Sequence, residues 1–198
     1  MTAIQTEPMV VRADRVPGAK QGHWTYAKYA AIPDDGKRYE VVDGVLYMTP
    51  SPNRSHQGTA LLFSIHLGTH VQFAGLGRVL PAPFDVELAP GVTMQPDVIV
   101  VLNANLSIIT QSHIVGAPDL VVEIASPGTA GYDRRTKQDA YARAGVAEYW
   151  IADPAARTIE VLRLESGAYV PTGVFARESN LPAGVLPELP VQVSQFFA

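Results

Sequence analysis

Two apolar runs dominate the hydrophobic pattern of this chain, Val98 to Leu102 and Leu120 to Ala125, each rich in β-branched residues and bounded by turn residues. Runs of this kind predict strands buried on both faces. Each carries one acid: Asp97 opens the first and Glu123 lies near the end of the second. An unpaired carboxylate in such a place is expensive, so something must hold these acids charged. After the turn signal Ser126, Pro127, Gly128, a segment ending at Gly145 places Lys137, Ala140, Tyr141 and Ala144 on one stripe at helical spacing, which turns the Lys137 ammonium inward. If the two strands pair antiparallel, the start of one lies beside the end of the other. Asp97 and Glu123 then meet at one end of the sheet, within reach of Lys137.

The remaining pattern fills in around this core. Thr25 is placed to cap a short helix through Ala31, stopped by Pro33. Arg38 to Thr49 reads as a hairpin about Asp43-Gly44, a pair suited to the positive φ of a tight primed turn, and this puts Glu40 on a strand. Taken alone, Glu40 could be a solvent-facing acid paired with Lys37 or Arg38. Ser55 is placed to cap a helix from His56 to about Phe73, with Leu61, Leu62, Ile65 and Val71 as its core face. Strands follow at Val79 to Pro81 and Phe84 to Leu88, bent between Pro81 and Pro83, with Asp85 and Glu87 alternating toward solvent. Residues 103–118 form a connection, and residues 148–152, 158–164 and 169–174 a terminal meander of strands. The apolar close, Val191, Val193, Phe196 and Phe197, ties the C-terminus to the core or to a partner.

Composition narrows the class. The 198 residues suit one domain, here residues 23–198, preceded by a polar arm over residues 1–22 that is either mobile or docked on a partner subunit. With 47% hydrophobic and 17% charged residues the chain is an ordinary globular one. It has no cysteine, which excludes disulfides, thiolate metal sites and cysteine nucleophiles. Residues 1–22 lack an apolar core like that of a signal peptide, and no apolar run approaches the roughly 18 residues of a membrane span, so a cytoplasmic location without membrane contact is expected. The net charge of −4 speaks against a large nonspecific nucleic-acid footprint, although a local basic patch can coexist with it.

Two carboxylates and a lysine converging at a strand end make a site for a hard divalent cation beside a phosphate, because Mg²⁺ is typically held by one or two carboxylates plus waters and phosphate oxygens. Other chemistry is weaker. His66 and His70 stand at metal-binding spacing without a third ligand, and Ser126 lacks the Gly-x-Ser-x-Gly turn of a nucleophile elbow.

Taken in order, Tyr39-Glu40-Val41-Val42-Asp43-Gly44, Gln95-Pro96-Asp97, Val122-Glu123-Ile124-Ala125-Ser126-Pro127, Lys137, and the run from Tyr141 through Gly145 to Trp150 resemble the Uma-two family of restriction-endonuclease-like proteins with the PD-(D/E)XK core. The resemblance covers the chain from about Trp24 to Phe197. It implies an α/β domain with a mixed central sheet flanked by the helix from His56 and the helix from Tyr132. It also implies a Mg²⁺- or Mn²⁺-dependent nuclease acting on DNA as a homodimer, with Asp97 and Glu123 as metal ligands and Glu40 and Lys137 as further catalytic residues. In the wider superfamily the lysine follows the second acid by two positions, but here that position is Ala125, and the resemblance transfers the role to Lys137. Arg134, Arg135 and Arg143 are either phosphate contacts or a solvated helix face. The competing expectation is a noncatalytic nucleic-acid-binding or homodimeric scaffold in which the acids and Lys137 form a closed ion pair.

Overall fold

The strands β7 (Val98–Leu102) and β9 (Leu120–Ile124) pair antiparallel with Val98 opposite Val122, so Asp97 falls beside Glu123 at one end of the pair. In this computed structural model, which describes residues 9–182, 184–186 and 189–197, the pair lies inside a six-stranded mixed sheet. Its other strands are β4 (Gly77–Pro81), β10 (Glu148–Asp153), β11 (Thr158–Glu165) and β12 (Ala168–Ala176), in the order β12-β11-β10-β9-β7-β4. The β9–β10 pairing is parallel, with Ile151 beside Glu123. The parallel crossover carries α3 (Ala130–Tyr132), a π-helical turn at Asp133–Lys137 and α4 (Gln138–Ala144). Gly145 ends α4 in the left-handed conformation, φ 91°, which glycine adopts without steric cost.

A second mixed sheet was not foreseen. It is built from β1 (Val11–Arg12), β2 (Arg38–Val42), β3 (Val45–Thr49), β5 (Asp85–Ala89), β6 (Val92–Met94) and β8 (His113–Val115), in the order β1-β3-β2-β6-β5-β8. The larger sheet is the expected mixed central sheet, and the second stands beside it. Three residues between β4 and β5 carry Pro83, and this break sends the two strands to different sheets. The Asp43-Gly44 turn is as expected, with φ of 50° and 73°. It is also an anchor, because Gly44 donates to the Gly91 carbonyl while its own carbonyl accepts from Gly22 and Trp24.

Strand alternation sorts the core. Val98, Val100, Leu120, Val122 and Ile124 face one side of the larger sheet, where Phe63, Leu67 and Val71 pack together with Leu189, Val191, Val193, Phe196 and Phe197. Ile99, Val101 and Val121 face the other side, against Ala140 and Tyr141 of α4 and against Val42, Val86, Met94 and Ile114 of the second sheet. The C-terminal apolar residues are thus buried in the chain's own core.

Several local expectations change. Helix α2 (Arg54–Leu67) continues through a π-helical turn at Gly68–Gln72, and it is Asn53, not Ser55, whose side chain accepts from the His56 amide. Its buried face is Thr59, Phe63 and Leu67, whereas Leu61 and Ile65 are 61% and 50% exposed and Phe73, just beyond, is 82% exposed. Helix α1 (Tyr26–Ala30) has no side-chain cap from Thr25. Asp85 and Glu87 are half-buried: Asp85 accepts from Tyr29 Oη and Gln95 Nε2, and Glu87 faces His113. From Val11 the arm pairs with β3 of its own chain. Residues 1–8 lie outside the described residues.

Candidate active site

The larger sheet brings Asp97 and Glu123 together, the second sheet contributes Glu40 and Arg38, α2 contributes His56, and the π turn contributes Asp133 and Lys137. All seven line one cavity of about 200 Å³, closed elsewhere by Thr49 to Asn53, Ser126 and Tyr132. Each charge has a local origin. Glu123 occupies the face of β9 that Val121 also uses, which turns it toward the second sheet and α4. Arg38 and Glu40 are two apart on β2 and therefore share a face. Asp133, Lys137 and Tyr141 recur at intervals of four, so one helical side delivers them all.

The network is closely tied. Lys137 Nζ is 2.9 Å from Glu40 Oε1, 2.9 Å from Glu123 Oε1 and 3.8 Å from Asp133 Oδ1. Tyr141 donates its hydroxyl to the same Glu123 oxygen at 2.6 Å, and the Gln95 amide donates to Glu40 Oε1 at 3.2 Å. Asp97 Oδ2 accepts from the Ile124 amide at 2.8 Å and lies 3.1 Å from His56 Nε2. Arg38 is held by Gln95, through its side chain and its carbonyl, and its guanidinium approaches Asp97 Oδ1 at 3.9 Å. In each of the three acids the bonds converge on one oxygen. Glu40 Oε2 is left buried without a hydrogen-bond partner among the described residues.

Electrostatics follow from crowding four acids around one ammonium. Burial works against the charge on Lys137, but Glu123, Glu40 and Asp133 outweigh it and hold the ammonium protonated well beyond its ordinary range. Burial drives the Glu123 carboxyl well above the usual range; Lys137 opposes this, while Asp97, Asp133 and Glu40 reinforce it. For Asp133, burial again dominates, with a contribution from Glu40 and Asp97, and the carboxyl is pushed up to about 6. Asp97 differs. Burial raises it, but the hydrogen bond and charge of His56, then Arg38 and Lys137, together hold it below the ordinary carboxylate value. Asp97 thus stays charged, whereas Glu123 and Asp133 take up protons readily.

All four residues expected from the sequence, Glu40, Asp97, Glu123 and Lys137, line the cavity. Glu40 is buried and bonded to Lys137, which overturns the solvent-facing alternative. Arg134 and Arg143 are engaged with Glu160 and Asp43, and neither lines the cavity. Sequence reasoning missed Arg38, His56 and Asp133. The spacing of Arg38 from Glu40 and of Asp133 from Lys137 carried the signal for two of them. His56 had none, because its role depends on where α2 begins relative to the larger sheet. Among the described residues, no three His, Cys, Asp or Glu side chains are grouped so as to hold a metal ion directly.

Mixed sheets flanked by a few helices, with an acid-lysine cluster at a strand end, define an α/β protein of the restriction-endonuclease-like kind. The chain belongs to the Uma2 family, described as putative restriction endonuclease, whose model matches residues 26–194. Among solved structures it is similar to a putative nuclease belonging to DUF820 from Anabaena variabilis ATCC 29413, with a TM-score of 0.73 and 18% sequence identity over 88% of this chain and 97% of that one. A likeness at this identity speaks for the fold. No curated protein matches the chain.

Proposed function

We propose that this protein is a Mg²⁺- or Mn²⁺-dependent endonuclease that hydrolyses phosphodiester bonds of DNA. The observation that carries the reading is the buried gathering of Glu40, Asp97, Glu123 and Lys137 in one cavity, in a chain of the Uma2 family. The donor set fits a hydrated hard cation. Glu40 keeps a buried carboxylate oxygen with no hydrogen-bond partner among the described residues, and Glu40, Asp97, Glu123 and Asp133 crowd around Lys137 and Arg38, where a divalent ion would take the place of the protons that burial favours on Glu123 and Asp133. Asp97 and Glu123 would hold the ion, with Glu40 beside them. Bound there, it would polarise the phosphodiester and lower the pKa of a water.

The chain's own groups account for the rest. Lys137 stays an ammonium and therefore serves as a fixed positive charge for the phosphate, not as a base. Arg38 adds a second positive group, oriented by its two bonds to Gln95. Tyr141 and Lys137 both hold the same Glu123 oxygen, Oε1. The loop from Thr49 to Asn53 forms part of the cavity wall.

A second reading has its own support, because Lys137 already bridges Glu40 and Glu123 at 2.9 Å as a closed ion pair would. In that reading the chain is a nucleic-acid-binding or homodimeric scaffold. Cleavage assays on single-stranded and duplex DNA and on RNA with Mn²⁺ separate the two. Mn²⁺-dependent cleavage of DNA supports the enzyme, and no cleavage of any substrate overturns it.

The same proposal includes a homodimer in the cytoplasm. Support for two-fold assembly rests on the exposed Leu61, Ile65 and Phe73, since the C-terminal apolar residues are buried within the chain. No helix among the described residues is long and apolar enough to cross a membrane.

A further inference from the structure

His56 is a partly buried imidazole that the fold holds in an unusual way. It stands in the first turn of α2, where Asn53 receives its backbone amide at 3.0 Å, so the ring's position is set by the start of the helix. Its Nε2 lies 3.1 Å from Asp97 Oδ2, an oxygen that also accepts from the Ile124 amide. A carboxylate oxygen can only accept, so Nε2 carries the hydrogen in this contact. Nδ1 is buried and makes no hydrogen bond among the described residues. The ring is thus given up to one polar contact, the one to Asp97. A histidine kept for structure alone would normally satisfy both nitrogens.

That contact has a geometric result. With Oδ2 tied from two directions, by the imidazole and by the Ile124 amide, the Asp97 carboxylate cannot rotate about its terminal torsion, and Oδ1 is the oxygen left to the cavity beside Arg38. The aspartate itself begins a strand that is held by pairing on both sides, so its backbone is equally constrained. We infer that His56 is a positioning residue, which orients Asp97 so that Oδ1 is presented to a divalent cation in the cavity. This rests on the metal-dependent reading proposed above, and it predicts that metal affinity responds to the hydrogen bond His56 donates.

The experiment measures Mn²⁺ binding by calorimetry to the full chain, without substrate, for wild type, His56→Gln and His56→Asn, with denaturation midpoints of all three in the absence of metal. Glutamine can place an N–H near the position of Nε2, whereas asparagine is too short to do so. Donor bonds to metal-ligating groups are worth on the order of 10- to 100-fold in affinity. His56→Asn is therefore expected to bind Mn²⁺ at least about tenfold more weakly than wild type, and His56→Gln within about threefold of it. Asparagine binding as tightly as wild type, or glutamine as weak as asparagine, overturns the positioning role and leaves the metal site standing. A wild type that binds no Mn²⁺ overturns both the site and the role. A loss of stability common to both variants without the difference in Mn²⁺ affinity makes His56 a packing residue and counts against the inference.

Discussion

Replacing Lys137 with alanine removes the ammonium that Glu40 and Glu123 share, both at 2.9 Å, in a place where the lysine is only 5% exposed. Removing one partner of a buried ion pair typically costs about 3 to 5 kcal/mol, because the remaining charge is left without compensation. For a chain of this size that corresponds to a fall in melting temperature of roughly 6 to 20 °C, at about 2 to 4 °C per kcal/mol. The loss should depend on pH in a definite direction. Without the lysine the Glu123 carboxyl, already above its ordinary range through burial, rises further, so at low pH it is neutral and costs little, and at high pH it is charged and unpaired. Urea denaturation of wild type and Lys137→Ala at pH 5 and pH 8 should show the larger gap at pH 8. Mn²⁺ should narrow that gap by taking over the charge. In the endonuclease reading the same variant retains Mn²⁺ binding but loses cleavage. A Lys137→Ala protein as stable as wild type at pH 8 would refute the charge argument, and one that still cleaves at the wild-type rate would refute the catalytic role.

Three further outcomes follow from particular contacts. Asp133, pushed up to about 6 from an ordinary 3.8, is destabilising once ionised, so stability should fall between about pH 4 and 6 and then level off. Asp133→Asn should gain up to about 3 kcal/mol at pH 7, shrinking to nothing at pH 4, and equal denaturation midpoints at pH 7 would contradict this. Gly44→Ala should cost more than about 1 kcal/mol by thermal melting, since φ is +73° and a Cβ would meet the Gly22 carbonyl oxygen at 2.5 Å. Glu148→Ala strands the buried Trp150 indole N–H and frees the Val185 amide, which should cost about 1 to 3 kcal/mol and speed protease cleavage near residue 185; unchanged proteolysis would argue against that tether.

Much of the site could be read from the chain because its acids violate a local rule. Asp97 and Glu123 interrupt runs whose other members all want burial, and a helical stripe brings Lys137 to the same side. What could not be read were side chains that reach the cavity from elsewhere. His56 follows a cap at Asn53, two residues before the one expected, and it meets Asp97 only because α2 packs on the face of the larger sheet. Leu61 and Ile65 look like core residues by spacing, yet α2 is rotated so that Thr59 and Phe63 face inward. Periodicity states that a helix has an apolar side, but the neighbours decide which side is covered.

The chain alone therefore determined what depends on nearest neighbours in sequence: the buried strands, the Asp43-Gly44 turn, the stop at Gly145 and the inward lysine. Backbone sterics and side-chain period act over a few residues and need no knowledge of the rest of the fold. Tertiary structure decided the division of the strands into two sheets and the meeting of Arg38, Glu40 and His56 with the two acids, because pairing and packing are chosen among segments far apart in sequence. The charge state of the cavity belongs to the same level, since the pKa of a buried carboxyl is set by burial and by whichever charges the fold brings beside it.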